Sequence, residues 1–258
     1  MNIHGAKLFD LSGKRALITG SGQGIGWSLA KGLASAGASV VLNDIDNVRL
    51  NKGVQLLREE GFVASGELFD VVDHAGVSAA IERIEVTLGP IDILINNAGI
   101  QRRAPLEDFP PEDWDRVLSV NLTSVFNVSQ AVARRMLTRQ RGKIINICSV
   151  QSMLGRPTIA PYAASKGAVA MLTKGMCADW ARHGLQINGI APGYFATEMN
   201  QALVENEAFS TWLCKRTPAG RWGNVEELCG AAIYLSAPAS DFVNGHVIYV
   251  DGGLTSTV

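Results

Sequence analysis

The sequence predicts an α/β chain, a doubly wound parallel sheet of about seven strands with helices on both faces. Three observations lead there. Short runs rich in Val, Ile and Leu recur along the chain, continuous rather than alternating, as strands buried on both faces require. Longer segments with helical periodicity separate them at parallel-sheet spacing. The first strand runs into a glycine-rich turn that opens a helix, where such sheets receive nucleotides. The chain has 258 residues, 47% of them hydrophobic, with no repeat, linker or composition break, so residues 1–258 read as one domain with a full core.

Each element has its own signal. Residues 1–13 read as a short leader ending at Gly13. Residues 14–19 (KRALIT) form the first strand, and the helix after the glycine turn runs to about residue 36, where Gly37 stops it. Residues 39–43 (SVVLN) form the second strand, with Asp44 at its end, and a polar helix covers about 47–60. Residues 63–69 are the third strand, closed by Asp70, and a helix over 74–88 ends at Gly89-Pro90. Residues 91–95 (IDILI) form the fourth strand, followed by Asn96-Asn97-Ala98-Gly99. Pro110-Pro111 starts one long helix over roughly 112–139 that carries Asn121. Residues 143–148 are the fifth strand, and a helix over 161–182 carries Tyr162. Residues 186–190 form the sixth strand, broken by Pro192-Gly193, and a mobile stretch with one or two helices covers 197–216. A helix over 225–235 leads to the last strand, 247–250, closed by Asp251-Gly252-Gly253.

Composition excludes several classes. Net charge is -1 with no basic run, which argues against nucleic acid and anionic membranes as partners. No apolar run is long enough to span a bilayer, and the amino terminus has no signal-peptide pattern. Cys148, Cys177, Cys214 and Cys229 lack metal-ligand spacing, as do His4, His74, His183 and His246, so no metal site is expected. The cysteines read as buried free thiols in a reducing, cytoplasmic compartment. Asn121 and Asn127 match glycosylation sequons that such a compartment leaves unused.

The chemistry gathers at strand ends. Gly20-Ser21-Gly-Gln23-Gly24-Ile25-Gly26 lies where backbone N–H groups and a helix amino end favour a diphosphate. Its spacing is not the usual dinucleotide fingerprint, and any tight strand-to-helix turn uses glycine. Asp44, 18 residues after Gly26, can accept hydrogen bonds from adenine-ribose hydroxyls and repel a 2′-phosphate, or it can cap the next helix. It favours NAD(H). Asp70 and Val71 suit the adenine ring, and Asn97, Ala98 and Gly99 suit the adenine ribose. Tyr162 and Lys166 are four apart and share a helix face. An ammonium beside a phenol, whose ordinary pKa is about 10, favours the phenolate. The same spacing also suits a packed ring beside a solvated amine. Ser149, after a buried strand, can hydrogen-bond a substrate oxygen.

Together these segments resemble the short-chain dehydrogenase/reductase family over nearly the whole chain. The resemblance rests on Thr19-Gly20-x-x-x-Gly24-x-Gly26, Asn96-Asn97-Ala98-Gly99, Asn121, Ser149, Tyr162-x-x-x-Lys166 and Pro192-Gly193-x-x-x-Thr197. It implies a Rossmann-type fold and an oxidoreductase in which Ser149 polarises a carbonyl and Tyr162 is the acid or base. Lys166 would hold the nicotinamide ribose and lower the phenol pKa, and Asn121 would hold a water relaying protons to Lys166. Pro192, Gly193 and Thr197 would meet the nicotinamide. Phe195 departs from the branched aliphatic residue usual in the family. A homotetramer is also implied, with the helices of Asn121 and Tyr162 pairing across one interface.

The loops at 97–103, 146–152, 191–195 and 214–223 resemble a sugar-acid branch of that family, which interconverts D-gluconate and 5-dehydro-D-gluconate. Arg102, Arg103, Gln151 and Arg156 suit a carboxylate and hydroxyls. That branch pulls toward NADP(H), against Asp44. The rivals are a 3-oxoacyl carrier-protein reductase, another sugar or polyol dehydrogenase, and a nucleotide-sensing protein without catalysis. The intact Ser149, Tyr162, Lys166 and Asn121 speak against the last.

Overall fold

The structure, a computed structural model, describes residues 5–258. His4 and the first four residues of the expected leader lie outside the described residues. Seven parallel strands form one sheet in the order β3-β2-β1-β4-β5-β6-β7. They are β1 Arg15–Ile18, β2 Ser39–Asp44, β3 Ala64–Leu68, β4 Ile93–Asn96, β5 Gly142–Ile147, β6 Leu185–Pro192 and β7 Val247–Val250. The order reverses between β1 and β4, and the loops leaving those two strands flank the crevice that such a reversal opens.

The helices are α1 Gly24–Ser35, α2 Asn47–Glu59, α3 His74–Thr87, α4 Pro111–Leu118, α5 Ser124–Arg139, α6 Ala160–Trp180, α7 Gln201–Val204, α8 Glu207–Arg216 and α9 Cys229–Ser236. Local chemistry starts several of them. The Asp46 carboxylate accepts from the backbone N–H of Val48 and Arg49 at 2.8 and 3.0 Å, opening α2. Asp73 opens α3 and Asn206 opens α8 in the same way. Gly37 ends α1 with φ +102, where a Cβ would stand 2.7 Å from the Ser12 hydroxyl.

Successive strand residues feed opposite cores, which is why the strands read as continuous apolar runs. Ala16 and Ile18 of β1 join Val40, Leu42, Ile93 and Ile95 against Leu29 and Leu33 of α1, Leu57 of α2 and Leu235 of α9. Leu17, Val41, Leu94 and Ile144 pack on the other face against Ile81 of α3, Val128 and Val132 of α5 and Val169 of α6. Burying one such side chain contributes about 1.5–3 kcal/mol. A buried polar thread runs through the second face. Asn96 donates to Ser129 Oγ and Asn146 Oδ1, both at 2.8 Å, and Asn146 donates to Thr173 Oγ1 at 2.9 Å. It pins α5 and α6 in one register on β4 and β5.

Two expectations change. The single helix over 112–139 is split by a π-helical turn at Ser119–Thr123, centred on fully buried Asn121. The wider turn aims the Asn121 amide at the loop after β4 rather than along the helix. The stretch 197–216 holds two helices, α7 and α8, within the one or two expected, after a short 3₁₀ turn, Glu198–Asn200. Of the cysteines only Cys148 is buried, and Cys177, Cys214 and Cys229 are partly exposed. No helix among the described residues is long and apolar enough to cross a membrane.

Candidate active site

One cleft of about 360 Å³ lies along the carboxyl ends of the strands, from Asp44 at one end to Arg156 at the other. Its floor at the first end is backbone. Gly20 adopts φ +59, and a Cβ there would lie 2.8 Å from Ala98 Cα. A Cβ on Gly26 would lie 2.4 Å from Asn97 Nδ2 and 2.5 Å from the Gly20 carbonyl. Asn97 Nδ2 fastens the two loops by donating to the carbonyls of Thr19 and Gly20 at 2.9 and 2.8 Å. Thr19 Oγ1 accepts from the Asn97 N–H at 3.0 Å. Gly20, Gln23, Gly24, Ile25 and Gly26 line this part of the cleft, together with Asp44, Asp70, Val71, Asn97, Ala98 and Gly99.

Asp44 is 6% exposed and is not free. Its Oδ1 accepts from Arg49 Nη2 at 2.8 Å and from the Asp46 N–H at 2.9 Å. Arg49 Nη1 stands 3.8 Å from Asp46, and its Nε is buried without a partner. The Asp44 hydrogen bond holds the guanidinium pKa up, against its partial burial.

The middle of the cleft is built from β5 and α6. Lys166 Nζ donates to the Ile147 carbonyl at 2.6 Å, tying the helix to the strand end. Ser152 Oγ donates to the Lys166 carbonyl at 2.9 Å, tying the turn Val150–Ser152 to the same helix. Ser149, at the start of that turn, lies near the Tyr162 phenol and accepts from the Gln151 N–H at 3.1 Å. Lys166 Nζ lies 5.8 Å from the Tyr162 ring centre. Burial pushes the Lys166 ammonium down to about 8. It pushes the Tyr162 phenol up, opposed by the Ser149 hydroxyl. Desolvation outweighs the groups that favour the phenolate here, and Lys166, whose Nζ is directed at the Ile147 carbonyl, is not among the groups that shift the phenol. Cys148, beneath them, is raised to about 11 by burial. Pro192, Gly193 and Thr197 close the facing wall.

The far end carries long side chains. Gln151 is 8% exposed, and its Nε2 donates to the Tyr194 hydroxyl at 3.4 Å. Arg156 Nη1 donates to the same hydroxyl at 3.5 Å, and its guanidinium lies 4.6 Å from the Phe209 ring centre. Arg103 lines the cleft, and burial and then the Arg156 charge both lower its pKa. Two guanidiniums thus face one space. Tyr194, Phe209 and Trp222 form an aromatic patch, with ring centres 5.6 Å apart for Tyr194–Phe209 and 5.9 Å for Tyr194–Trp222.

This chain matches the model of the family described as short chain dehydrogenase over residues 14–208. It is 63% identical to the gluconate 5-dehydrogenase of Gluconobacter oxydans, covering 96% of this chain and 97% of that one. It is 59% identical to the 5-keto-D-gluconate 5-reductase of Escherichia coli, covering 97% and 99%. A crystal structure of a gluconate 5-dehydrogenase from Burkholderia cenocepacia in complex with NADP and tartrate superposes with TM-score 0.97. That chain is 65% identical, and the match covers 99% of this chain and all 100% of that one. The chain belongs to the short-chain dehydrogenase family. For this short-chain dehydrogenase, three of the expected site residues stand apart from the cleft. Ser21 is fully buried, and its Oγ donates to the Ile18 carbonyl at 2.7 Å. The Asn121 amide bonds the Ile100 N–H at 2.8 Å, the Ile100 carbonyl at 2.9 Å and Ser165 Oγ at 3.2 Å. Its side chain holds the loop after β4 and joins it to Ser165 of α6. Arg102 pairs with Asp113 at 3.4 Å, outside the cleft.

Tyr194 and Arg49 belong to the site although no sequence motif marks either. An aromatic residue after a strand-ending Pro-Gly reads as packing. The signal for Arg49 was its position five residues past Asp44, close enough to fold back onto it. Phe195 turns into the core at 4% exposure, against Gly223. No cluster of His, Cys, Asp or Glu suited to a metal occurs among the described residues.

Proposed function

We propose that this oxidoreductase interconverts 5-dehydro-D-gluconate and D-gluconate at carbon 5, using NADP(H). The observation that supports it most is a cleft with the Ser149, Tyr162 and Lys166 set in its middle and Arg103, Arg156 and Gln151 at one end. A small polyhydroxy acid needs a cation and hydrogen-bonding groups beside the reacting centre, whereas a long acyl chain needs an apolar slot. The relatives named as gluconate 5-dehydrogenase and 5-keto-D-gluconate 5-reductase support the same substrate.

A dinucleotide fits the other end. The glycines leave no room for side chains between the loops, and Arg49 Nε is a buried donor without a partner. In this proposal Arg49 holds the 2′-phosphate while Asp44 holds Arg49, which replaces the expectation of NAD(H) from Asp44. The relative solved with NADP supports that choice. When bound, the nicotinamide exchanges a hydride with the substrate carbon. The chain's own residues do the rest. Ser149 Oγ holds the ketone oxygen, Tyr162 gives it a proton in reduction and takes one in oxidation, and Lys166 orients the ribose. Asn121 keeps the loop after β4 in place.

Purified enzyme should reduce 5-dehydro-D-gluconate with far higher kcat/KM than fructose, and with higher kcat/KM for NADPH than NADH. Equal rates on the acid and the neutral ketose would defeat the substrate assignment. We also propose a cytoplasmic homotetramer. Exposed Trp114, Phe126 and Met171, on α4, α5 and α6, support pairing through those helices. A monomer mass in light scattering would remove it.

A further inference from the structure

Gln151 is a buried amide beside the reacting centre with one end unused. Its Nε2 and Arg156 Nη1 both point at the Tyr194 hydroxyl, at 3.4 and 3.5 Å. Its Oε1 is buried with no partner. A buried amide oxygen left unpaired is costly, and native structures keep few of them. The residue lines the cleft, so a small turn of its side chain brings that oxygen to a ligand. Turning the amide over exchanges the problem for another, because the NH₂ group would then lack an acceptor. A hydroxyl both donates and accepts, so it satisfies either orientation. A methylene satisfies neither. Tyr194, receiving two donors, keeps its own proton to give to the same ligand oxygen or its neighbour.

The position of this amide is set by one turn of chain. The Gln151 N–H donates to Ser149 Oγ at 3.1 Å, and Ser149 and Ser152 cap the turn Val150–Ser152 from both ends. The Gln151 backbone is therefore fixed relative to Ser149, and its side chain starts from beside the same substrate. If Ser149 holds the reacting oxygen, the amide addresses the next carbon along the substrate.

We infer that Gln151, oriented by Tyr194, reads a hydroxyl on a carbon adjacent to the reacting carbonyl and makes this enzyme selective for α-hydroxy ketones. The inference rests on the proposed function only in giving Ser149 the reacting oxygen. It does not need gluconate to be the substrate. Arg103 and Arg156 select an acid, and Gln151 selects the hydroxyl beside the ketone.

The test compares ketones that differ by one hydroxyl. Reduction of 5-dehydro-D-gluconate is measured beside its 4-deoxy and 6-deoxy analogues, and of acetoin beside 2-butanone, with wild type and Gln151→Met. Wild type should prefer the hydroxylated partner by about tenfold or more in kcat/KM, for at least one deoxy analogue and for the acetoin pair. In Gln151→Met that preference should fall to near unity, mainly through the hydroxylated substrate, with the cofactor's KM unchanged. Wild type that treats each pair alike overturns the inference without any variant. So does a Gln151→Met enzyme that keeps the full preference. Should 5-dehydro-D-gluconate prove a poor substrate while the acetoin preference holds and depends on Gln151, the substrate assignment fails and the hydroxyl reader stands.

Discussion

The two ends of the cleft are built by opposite means. At the glycine-loop end the walls are backbone, fastened by short internal hydrogen bonds such as Asn43 Nδ2 to the Phe69 carbonyl at 2.9 Å and Asn97 Nδ2 to the Gly20 carbonyl at 2.8 Å. At the arginine end the walls are long side chains from separate segments. Their mutual hydrogen bonds are long, 3.4 Å from Gln151 and 3.5 Å from Arg156 to Tyr194. One amide oxygen there is unpaired, and two guanidiniums face each other without a carboxylate between them. The first end is complete before any ligand arrives except at Arg49, whose Nε is buried without a partner. The second is left to be completed by the substrate. On the proposed function, selectivity among ketones belongs to the second end, and the first should tolerate very little change.

The largest expected effect lies where the two ends meet. Tyr162→Phe keeps the ring and removes the proton, so kcat should fall by about 10²–10⁴-fold or more while cofactor titrations stay near wild type. Near-normal turnover would take Tyr162 out of its role. Next comes Gly26→Ala. Its new Cβ would meet Asn97 Nδ2 at 2.4 Å and the Gly20 carbonyl at 2.5 Å. Overpacking of about 1–3 kcal/mol should weaken cofactor binding by about 10–100-fold. Unchanged cofactor affinity would mean that this end is less rigid than its hydrogen bonds imply.

At the arginine end, Arg103→Ala should cost about 10-fold or more in kcat/KM for the acid and spare neutral ketones and the cofactor's KM. An equal loss on both substrate types would make Arg103 a loop residue, with Arg156 the next candidate. Arg49→Ala should raise the KM for NADPH by about tenfold and leave NADH little changed, since Asp44 would then be unpaired. A parallel change for both cofactors would rule out a 2′-phosphate contact.

The smallest effect is a pH dependence of stability. Folding lowers Lys166 from an ordinary value of 10.5 to about 8. Between pH 8 and 10.5 the unfolded chain holds a proton there that the folded one has lost, so this group makes stability rise with pH across that window. Urea midpoints of Lys166→Met should lack this component of the wild-type slope, and the variant should gain most at pH below 8. Identical slopes in the two proteins would show that Lys166 is not desolvated.

Much of this was legible in the amino-acid order. Strand runs such as ALI at 16–18 and ILI at 93–95 read correctly because each residue is buried on one face or the other. The glycine loop read correctly because glycine is required where a Cβ would strike the neighbouring loop. Helix starts at Asp46 and Asp73 are local bonds within three residues. Other features depended on partners far along the chain. Asn121 looked like one position in a long helix, yet a π turn hands its amide to Ile100, 21 residues away. Arg102 and Arg103 are adjacent and alike, and only packing sends the first to Asp113 and the second into the cleft.

The sequence alone determined the sheet, the glycine loop and the Ser149, Tyr162 and Lys166 set, because backbone conformation and side-chain period are local properties of the chain. Charge and selectivity were decided by the tertiary structure. Asp44 looked like a free carboxylate until Arg49 was seen to occupy it at 2.8 Å. The Tyr162 phenol looked easy to ionise until burial was seen to raise it. Which charge is neutralised, and which amide is left unpaired, depends on what surrounds a group in space. Those surroundings come from segments brought together only by the fold.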